Sequence, residues 1–255
     1  ASTGGSSSGS SAGFTKTTSV FGVKILASAG VSDAKLTHAS NVMAAYLDND
    51  QNGVADNQAV ADKLVENKAT LVFFATDQEA ESFTGFDQLN SQFVQDLYAS
   101  ETHPGGAAQG IFDASLEEVL HIITHAGYAQ VYPGVFGEST GSVLANAMDT
   151  ARGGQFQTIP QSYPQGAWYT YDDTTCDYSC MATEYTYWAL TSILGAQDFS
   201  SREQEIQHEW KLNTKAKIQA TDTAIYNLLT DSQYALPSVL PTGSYSFKTF
   251  EITKL

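Results

Sequence analysis

The chain reads as an α+β fold: a mainly helical single domain with a small β-sheet. Three observations predict this. Apolar residues recur at helical spacing over several long stretches, and short β-branched and aromatic runs lie in the first third of the chain. No internal repeat divides the sequence, and 255 residues that are 42% hydrophobic suffice for one substantial core.

Taken in order, residues 1–12 form a Ser/Gly-rich leader of the kind that follows a signal peptide or lipoprotein anchor, and residues 13–255 form the globular domain. The first residue is Ala rather than Met, so a mature or trimmed chain is expected. Residues 18–27 are rich in Val, Ile and Phe and predict one strand. Ser32 or Asp33 then caps a helix to about Leu47, with Leu36, Val42, Met43, Tyr46 and Leu47 facing inward. A second helix is expected near 57–67, and Leu71–Phe74 reads as a buried strand. Residues 80–112 are mixed and glycine-bearing, so loops with one short helix are expected.

A helix over about 114–130 stops before Tyr132-Pro133-Gly134, and another over 142–151 ends at Gly153-Gly154. Residues 155–179 predict a long loop carrying Tyr163, Trp168, Tyr169, Tyr171 and Tyr178, able either to line a cleft or to pack on the core. Residues 180–194 read as a helix apolar on nearly all sides, closed by Gly195. A last long helix is expected over 201–230, with Ile206, Trp210, Ile218, Ile225, Leu228 and Leu229 as core contacts, then a terminal strand over 244–252.

Charge narrows the partners. Twenty-eight acidic residues against twelve basic give a formal charge of −16, which repels phosphate backbones and anionic lipids and argues against nucleic-acid binding. No apolar run reaches the length needed to span a bilayer. The two cysteines, Cys176 and Cys180, sit close together in a Tyr/Asp-rich stretch and predict a local disulfide, hence a secreted or extracytoplasmic protein. A two-thiolate metal site is the rival, but no second Cys/His pair stands nearby.

The chemistry centres on His121 and His125, one helical turn apart. At about 100° per residue, Leu116, Val119, Leu120, Ile122, Ile123 and Ala126 form one apolar arc. The opposite arc carries Thr124, Glu117, Tyr128, His121, His125 and Glu118. Two imidazoles at i, i+4 can reach one ion, with zinc the favoured metal and iron, copper or nickel less selectively suited. A solvated polar face is the competing reading, with Ser115-x-x-Glu118 as a capping box. Glu184 stands alone in the buried aromatic helix and needs a partner, which makes it the expected third ligand. Glu117 or Glu118 would then serve as the base that takes a proton from metal-bound water.

A second candidate site is Asp48-Asn-Asp50-Gln-Asn52-Gly53-Val54-Ala-Asp56. Its spacing matches the first half of an EF-hand-type loop, with Asp48, Asp50 and Asn52 offering side chains, Val54 a carbonyl, and Asp56 a direct or water-mediated contact to calcium. The twelfth position is Ala59 instead of the bidentate Glu, with Asp62 the nearest substitute.

A strand, a helix, a second strand, a two-histidine helix and a Glu on a later helix together resemble zincin metallopeptidases. His121 and His125 carry the resemblance, with Glu184 as a gluzincin-like third ligand. Zincins place Glu directly after the first His, where this chain has Ile122, and the inverted motif places it before the second, where Thr124 stands. The resemblance implies a zinc hydrolase acting on a peptide or other polymeric substrate; the leader and cysteine pair add the expectation of export, and the acidic loop that of a stabilising calcium ion. Two other classes stay open. Glu118-x-x-His121 matches one element of carboxylate di-iron proteins, which suggests a non-hydrolytic iron or copper protein. The aromatic loop suits a secreted, calcium-stabilised binding module for carbohydrate or protein. His38, His103 and His208 read as surface or satisfied core residues.

Overall fold

Period-two alternation along short strands sets the two faces of the sheet. The structure, a computed structural model, describes residues 12–255, so the predicted leader lies outside the described residues except for Ala12. Strands β1 (Lys16–Val20) and β2 (Val23–Ala27) pair antiparallel. β3 (Thr70–Phe74) and β4 (Val94–Tyr98) add in parallel, and β5 (Thr253–Lys254) pairs antiparallel with β1, giving the order β4-β3-β2-β1-β5. Ile25, Leu71, Phe73 and Leu97 face the main core, while Leu26, Val72 and Phe74 join Phe14 and Leu89 in a smaller cluster on the other face.

Two expectations about strands need correction. The single strand over 18–27 is a hairpin, because Phe21 and Gly22 take φ of 48° and 85°. Two consecutive left-handed residues make the tight turn whose twist suits a two-residue hairpin, and a Phe in the first position conceals it from the sequence. β4 falls where only loops and a short helix were expected. It is an edge strand with Leu97 and half-buried Gln95 and Asp96, too polar to show alternation.

Helix α1 (Asp33–Leu47) starts at Ser32, whose side chain accepts from Lys35 N, and α2 (Gln58–Glu66) starts at Asn57, which caps Val60 N. The short α3 (Asp77–Glu81) lies between β3 and β4. α4 (Ser115–Ile123) runs into a π-helical turn, Thr124–Tyr128, followed by α5 (Ala129–Val131) and α6 (Pro133–Phe136). The helix expected over 114–130 is thus present as one continuous helical run from Ser115 to Val131, with a π turn inside it. Gly127 sits where a Cβ would lie 2.8 Å from Val60 Cγ1, so the π turn is also where α2 passes closest to this backbone. All six residues of the predicted apolar arc are buried.

α7 (Val143–Arg152) and α8 (Tyr178–Leu194) follow as expected, α8 beginning two residues early. Asp177 caps α8 by accepting from Cys180 N, and the Cys176–Cys180 disulfide spans the same turn with a Cα–Cα distance of 5.4 Å. The long helix expected over 201–230 is three pieces: α9 (Arg202–Ile206), α10 (Lys215–Thr221) and α11 (Thr223–Leu229). Asp222 breaks the last two apart. Its carboxylate accepts from Ile225 N, Tyr185 OH and Trp168 Nε1, a set no helix-interior residue could collect. The six predicted core contacts of this region are nonetheless all buried.

The terminal strand expected over 244–252 does not form; the last strand is Thr253–Lys254, just beyond it. The preceding residues dock elsewhere, Tyr245 OH on Asp48 and Ser246 N on Gln51 Oε1. No helix among the described residues is long and apolar enough to cross a membrane.

Candidate metal centre

The face of α4 opposite its apolar arc packs inward, against α8 and β4. His121 is only 5% exposed, Thr124 and Tyr128 are buried, and Glu117 and Glu118 are half-buried. The capping box of the competing reading does not form. Ser115 Oγ instead donates to Asp113 Oδ2 at 2.8 Å, and Glu118 turns sideways to accept from Gln95 Nε2 of β4 at 2.6 Å. This releases Glu118 from the helix start and places it beside the histidine.

One imidazole and three carboxylates meet here. His121 Nδ1 lies 3.3 Å from Glu118 Oε2, and its Nε2 lies 3.5 Å from Glu184 Oε2, reaching across to α8. Ligand atoms of Glu117, Glu118 and His121 all fall within 4.8 Å of one another. Tyr187, one turn beyond Glu184, accepts from Gln197 Nε2 at 3.2 Å and stacks its ring edge-on to His121 at 5.4 Å. His121 Nε2 is fully buried without a hydrogen-bond partner. A buried polar nitrogen left in that state costs roughly 1–3 kcal/mol, and it points at a carboxylate slightly too far away to bond.

The electrostatics follow from burial. Burial pushes the Glu117 carboxyl well above the usual range, and Glu184 and Glu118 add to this against His121 and Tyr187. For His121, burial disfavours the charged ring, but the charge of Glu184, with the hydrogen bond and charge of Glu118, outweighs it and raises the imidazole well above its ordinary value. Three carboxylates around one imidazole leave an excess of negative charge in a dry place, which calls for a cation or a shared proton.

The other expected ligand, His125, is not brought to this group. It lies in the π turn, its side chain 40% exposed, and its Nδ1 bonds Glu138. A π turn carries more residues per turn than an α-helix, so a residue four places on no longer sits directly over His121. Glu138 was not anticipated. It sits in the Gly137–Gly141 loop, 7% exposed, and also accepts from Ser179 Oγ (2.9 Å) and Thr183 Oγ1 (2.6 Å) on α8. That hydrogen bond to Glu138, against partial burial, raises the His125 imidazole. Gln95 was missed with its strand. No periodic signal marks either residue.

Two further histidines have company that the sequence did not reveal. His38 Nε2 lies 2.6 Å from Asp113 Oδ2 in a buried pair, so it is a satisfied core residue. His208 groups with Asp172 and Glu209 at the surface. Burial, together with Asp172 and Glu184, pushes Glu209 up to about 7 despite His208. The aromatic loop is tied into the fold: Tyr169 is fully buried with its hydroxyl on Met181 O at 2.6 Å, and Trp168 Nε1 donates to Asp222.

At the second candidate site, Asp48, Asp50 and Asp56 place ligand oxygens within 4.8 Å of one another. Asp48 accepts from Asn52 N (3.1 Å), Gly53 N (2.8 Å) and Tyr245 OH. Burial pushes Asp48 up, but these hydrogen bonds together hold its carboxyl below the usual range. Asp56 is raised by burial and by its acidic neighbours, against a hydrogen bond from Asn49 N. Asn52 Oδ1 accepts from Val54 N, and Asp62 pairs with Gln58 instead of joining the loop. Compared with protein-family models, with curated proteins and with solved structures, the chain matches none.

Proposed function

We propose that the protein is a metal-dependent hydrolase whose ion lies between His121 and Glu184, with Glu117 beside it. The observation that carries this reading is the buried, unpartnered Nε2 of His121, 3.5 Å from Glu184 Oε2. An imidazole nitrogen and carboxylate oxygens suit zinc, and the excess of carboxylates also suits iron or manganese. Bound there, the ion would supply a water acidic enough to attack a carbonyl near neutral pH.

The residues divide the remaining work. Glu117, whose carboxylate lies within 4.8 Å of a His121 ring nitrogen, would accept the proton from that water. His125, paired with Glu138 and partly exposed, lies on the next turn outward, where a substrate would approach. The reading makes the substrate a peptide or ester. The Cys176–Cys180 disulfide supports export, and a calcium ion on Asp48, Asp50, Asn52, Val54 and Asp56 would brace the fold.

Elemental analysis of tag-free protein tests this directly. One zinc per chain, lost on chelation together with peptide or ester hydrolysis and lost in His121→Ala, is the expected result. Glu117→Gln should keep the metal and lower kcat by roughly 10²–10⁴-fold. A metal-free protein that does not take up zinc would overturn the reading. Stoichiometric iron would move it to oxidative chemistry, as the Glu118–His121 contact at 3.3 Å allows.

A further inference from the structure

An imidazole that binds a cation through one nitrogen carries its proton on the other, and a carboxylate on that second nitrogen fixes both tautomer and ring orientation. The two nitrogens of His121 are not equivalent in this respect. Nδ1 faces Glu118 Oε2 at 3.3 Å, whereas Nε2 is buried and unpartnered, 3.5 Å from Glu184. Glu118 Oε2 is itself engaged from behind, by Gln95 Nε2 at 2.6 Å. Gln95 stands on β4, pinned by its pairing opposite Leu71 of β3. A continuous path therefore runs from the sheet through Gln95 and Glu118 to the imidazole. Its far end is the only one of these nitrogens left without a partner.

We propose that Glu118 is a positioning residue and not a metal ligand: anchored by Gln95, it holds His121 through Nδ1 so that Nε2 is presented to a cation shared with Glu184, with Glu117 beside it. This rests on the metal-site reading above and assigns the roles within it. The two adjacent glutamates then differ in task because they differ in partner. Among the described residues Glu117 has no sheet partner and feels the charge of Glu184 on α8, while Glu118 is bonded by Gln95 from the sheet side. The oxygen of Glu118 nearest the imidazole already has two neighbours, which leaves it poorly placed to serve a metal as well.

Cobalt and zinc, added singly to metal-free protein, separate the alternatives. The wild type should take up one Co²⁺ per chain, with visible absorption bands of a low-coordinate site and one exchangeable imidazole N–H signal shifted far downfield. Glu118→Gln, which still offers an oxygen to Nδ1, should keep one cobalt per chain and the same bands, with zinc affinity reduced roughly 10–100-fold as for other outer-shell partners. Gln95→Leu should also leave the bands unchanged, weaken zinc by several-fold and speed exchange of the N–H signal. Glu184→Gln should alter the bands or abolish stoichiometric binding.

Altered or absent bands in Glu118→Gln would make Glu118 a ligand and overturn the proposal. So would wild-type zinc affinity and N–H exchange in Gln95→Leu, a variant at a half-buried edge position that keeps the test available if Glu118→Gln does not fold. Failure of the wild type to bind either metal would instead remove the metal-site reading beneath it, a result distinct from both.

Discussion

Replacing Asp113 by Ala should cost more stability than any other single carboxylate deletion outside the candidate metal centre. Asp113 is buried and accepts four hydrogen bonds: His38 Nε2 at 2.6 Å, Ser115 Oγ at 2.8 Å, His103 N at 3.1 Å and Ser115 N at 3.2 Å. Removing one member of a buried ion pair leaves the other desolvated and alone, at a cost of roughly 3–5 kcal/mol. For a chain of about this size each kcal/mol lowers the midpoint by roughly 2–4 °C, so a fall of roughly 6–20 °C is expected. Asp113→Asn keeps an oxygen for the His103 and Ser115 amides but loses the charge facing His38, and should cost less than Ala.

Acid supplies the control on mechanism. Burial pushes the Asp113 carboxyl up, but hydrogen bonding and charge from His38, with bonds from Ser115 and the His103 amide, outweigh it and hold the group below its usual range. The unfolded chain therefore binds more protons than the native one between the two values. The stabilisation is complete above about pH 3.9, the ordinary Asp value, and is lost as pH falls through the lower native one. Urea unfolding of wild type and Asp113→Asn across this range should show a stability gap that narrows in acid. A loss below about 1 kcal/mol for Asp113→Ala would mean the pair is not the buried anchor its geometry suggests. A gap unchanged from neutral pH down to about pH 3 would reject the charge-based explanation.

Two further outcomes are expected. Calcium at a hundredfold excess over its Kd should raise unfolding free energy by about 2.7 kcal/mol, with the gain absent in Asp48→Ala; identical wild-type midpoints with calcium and with chelator would remove the stabilising ion. Gly127→Ala should destabilise by roughly 1–3 kcal/mol by overpacking, because its Cβ would meet Val60 Cγ1 at 2.8 Å and Leu64 at 3.3 Å; a stabilised variant, as helix propensity alone predicts, would show that α2 can retreat.

Burial was far more legible in the sequence than chain direction. Ile206, Trp210, Ile218, Ile225, Leu228 and Leu229 are all in the core, yet the helix drawn through them is three pieces. Apolar spacing reports which side chains are sheltered, and it cannot see Asp222 gathering Tyr185 and Trp168 from other elements. The same limit explains the hairpin hidden at Phe21 and the edge strand holding Gln95. At the candidate centre, the composition of α4 and the isolation of Glu184 in α8 pointed to residues that the fold does bring together, His121 and Glu184. The π turn that sends His125 to Glu138 follows from tertiary packing and leaves no mark in the spacing of the two histidines.

The acidic loop after α1 is short in sequence but long in dependence. Its clasp is supplied by residues roughly two hundred positions downstream: Val239 O on Asn49, Tyr245 OH on Asp48 and Ser246 on Gln51, with Gly243 O on Asn41 of α1 beside them. Closing contacts of such separation costs chain entropy that local contacts do not, so they are expected to form late. Residues 48–56 therefore complete their geometry only when the end of the domain has settled against them. The Gly53 amide, bonded to Asp48, becomes a reporter of that distant event. Its exchange with solvent deuterium should follow the fraying of residues 239–246, making one local amide the readout of whether the whole fold has closed.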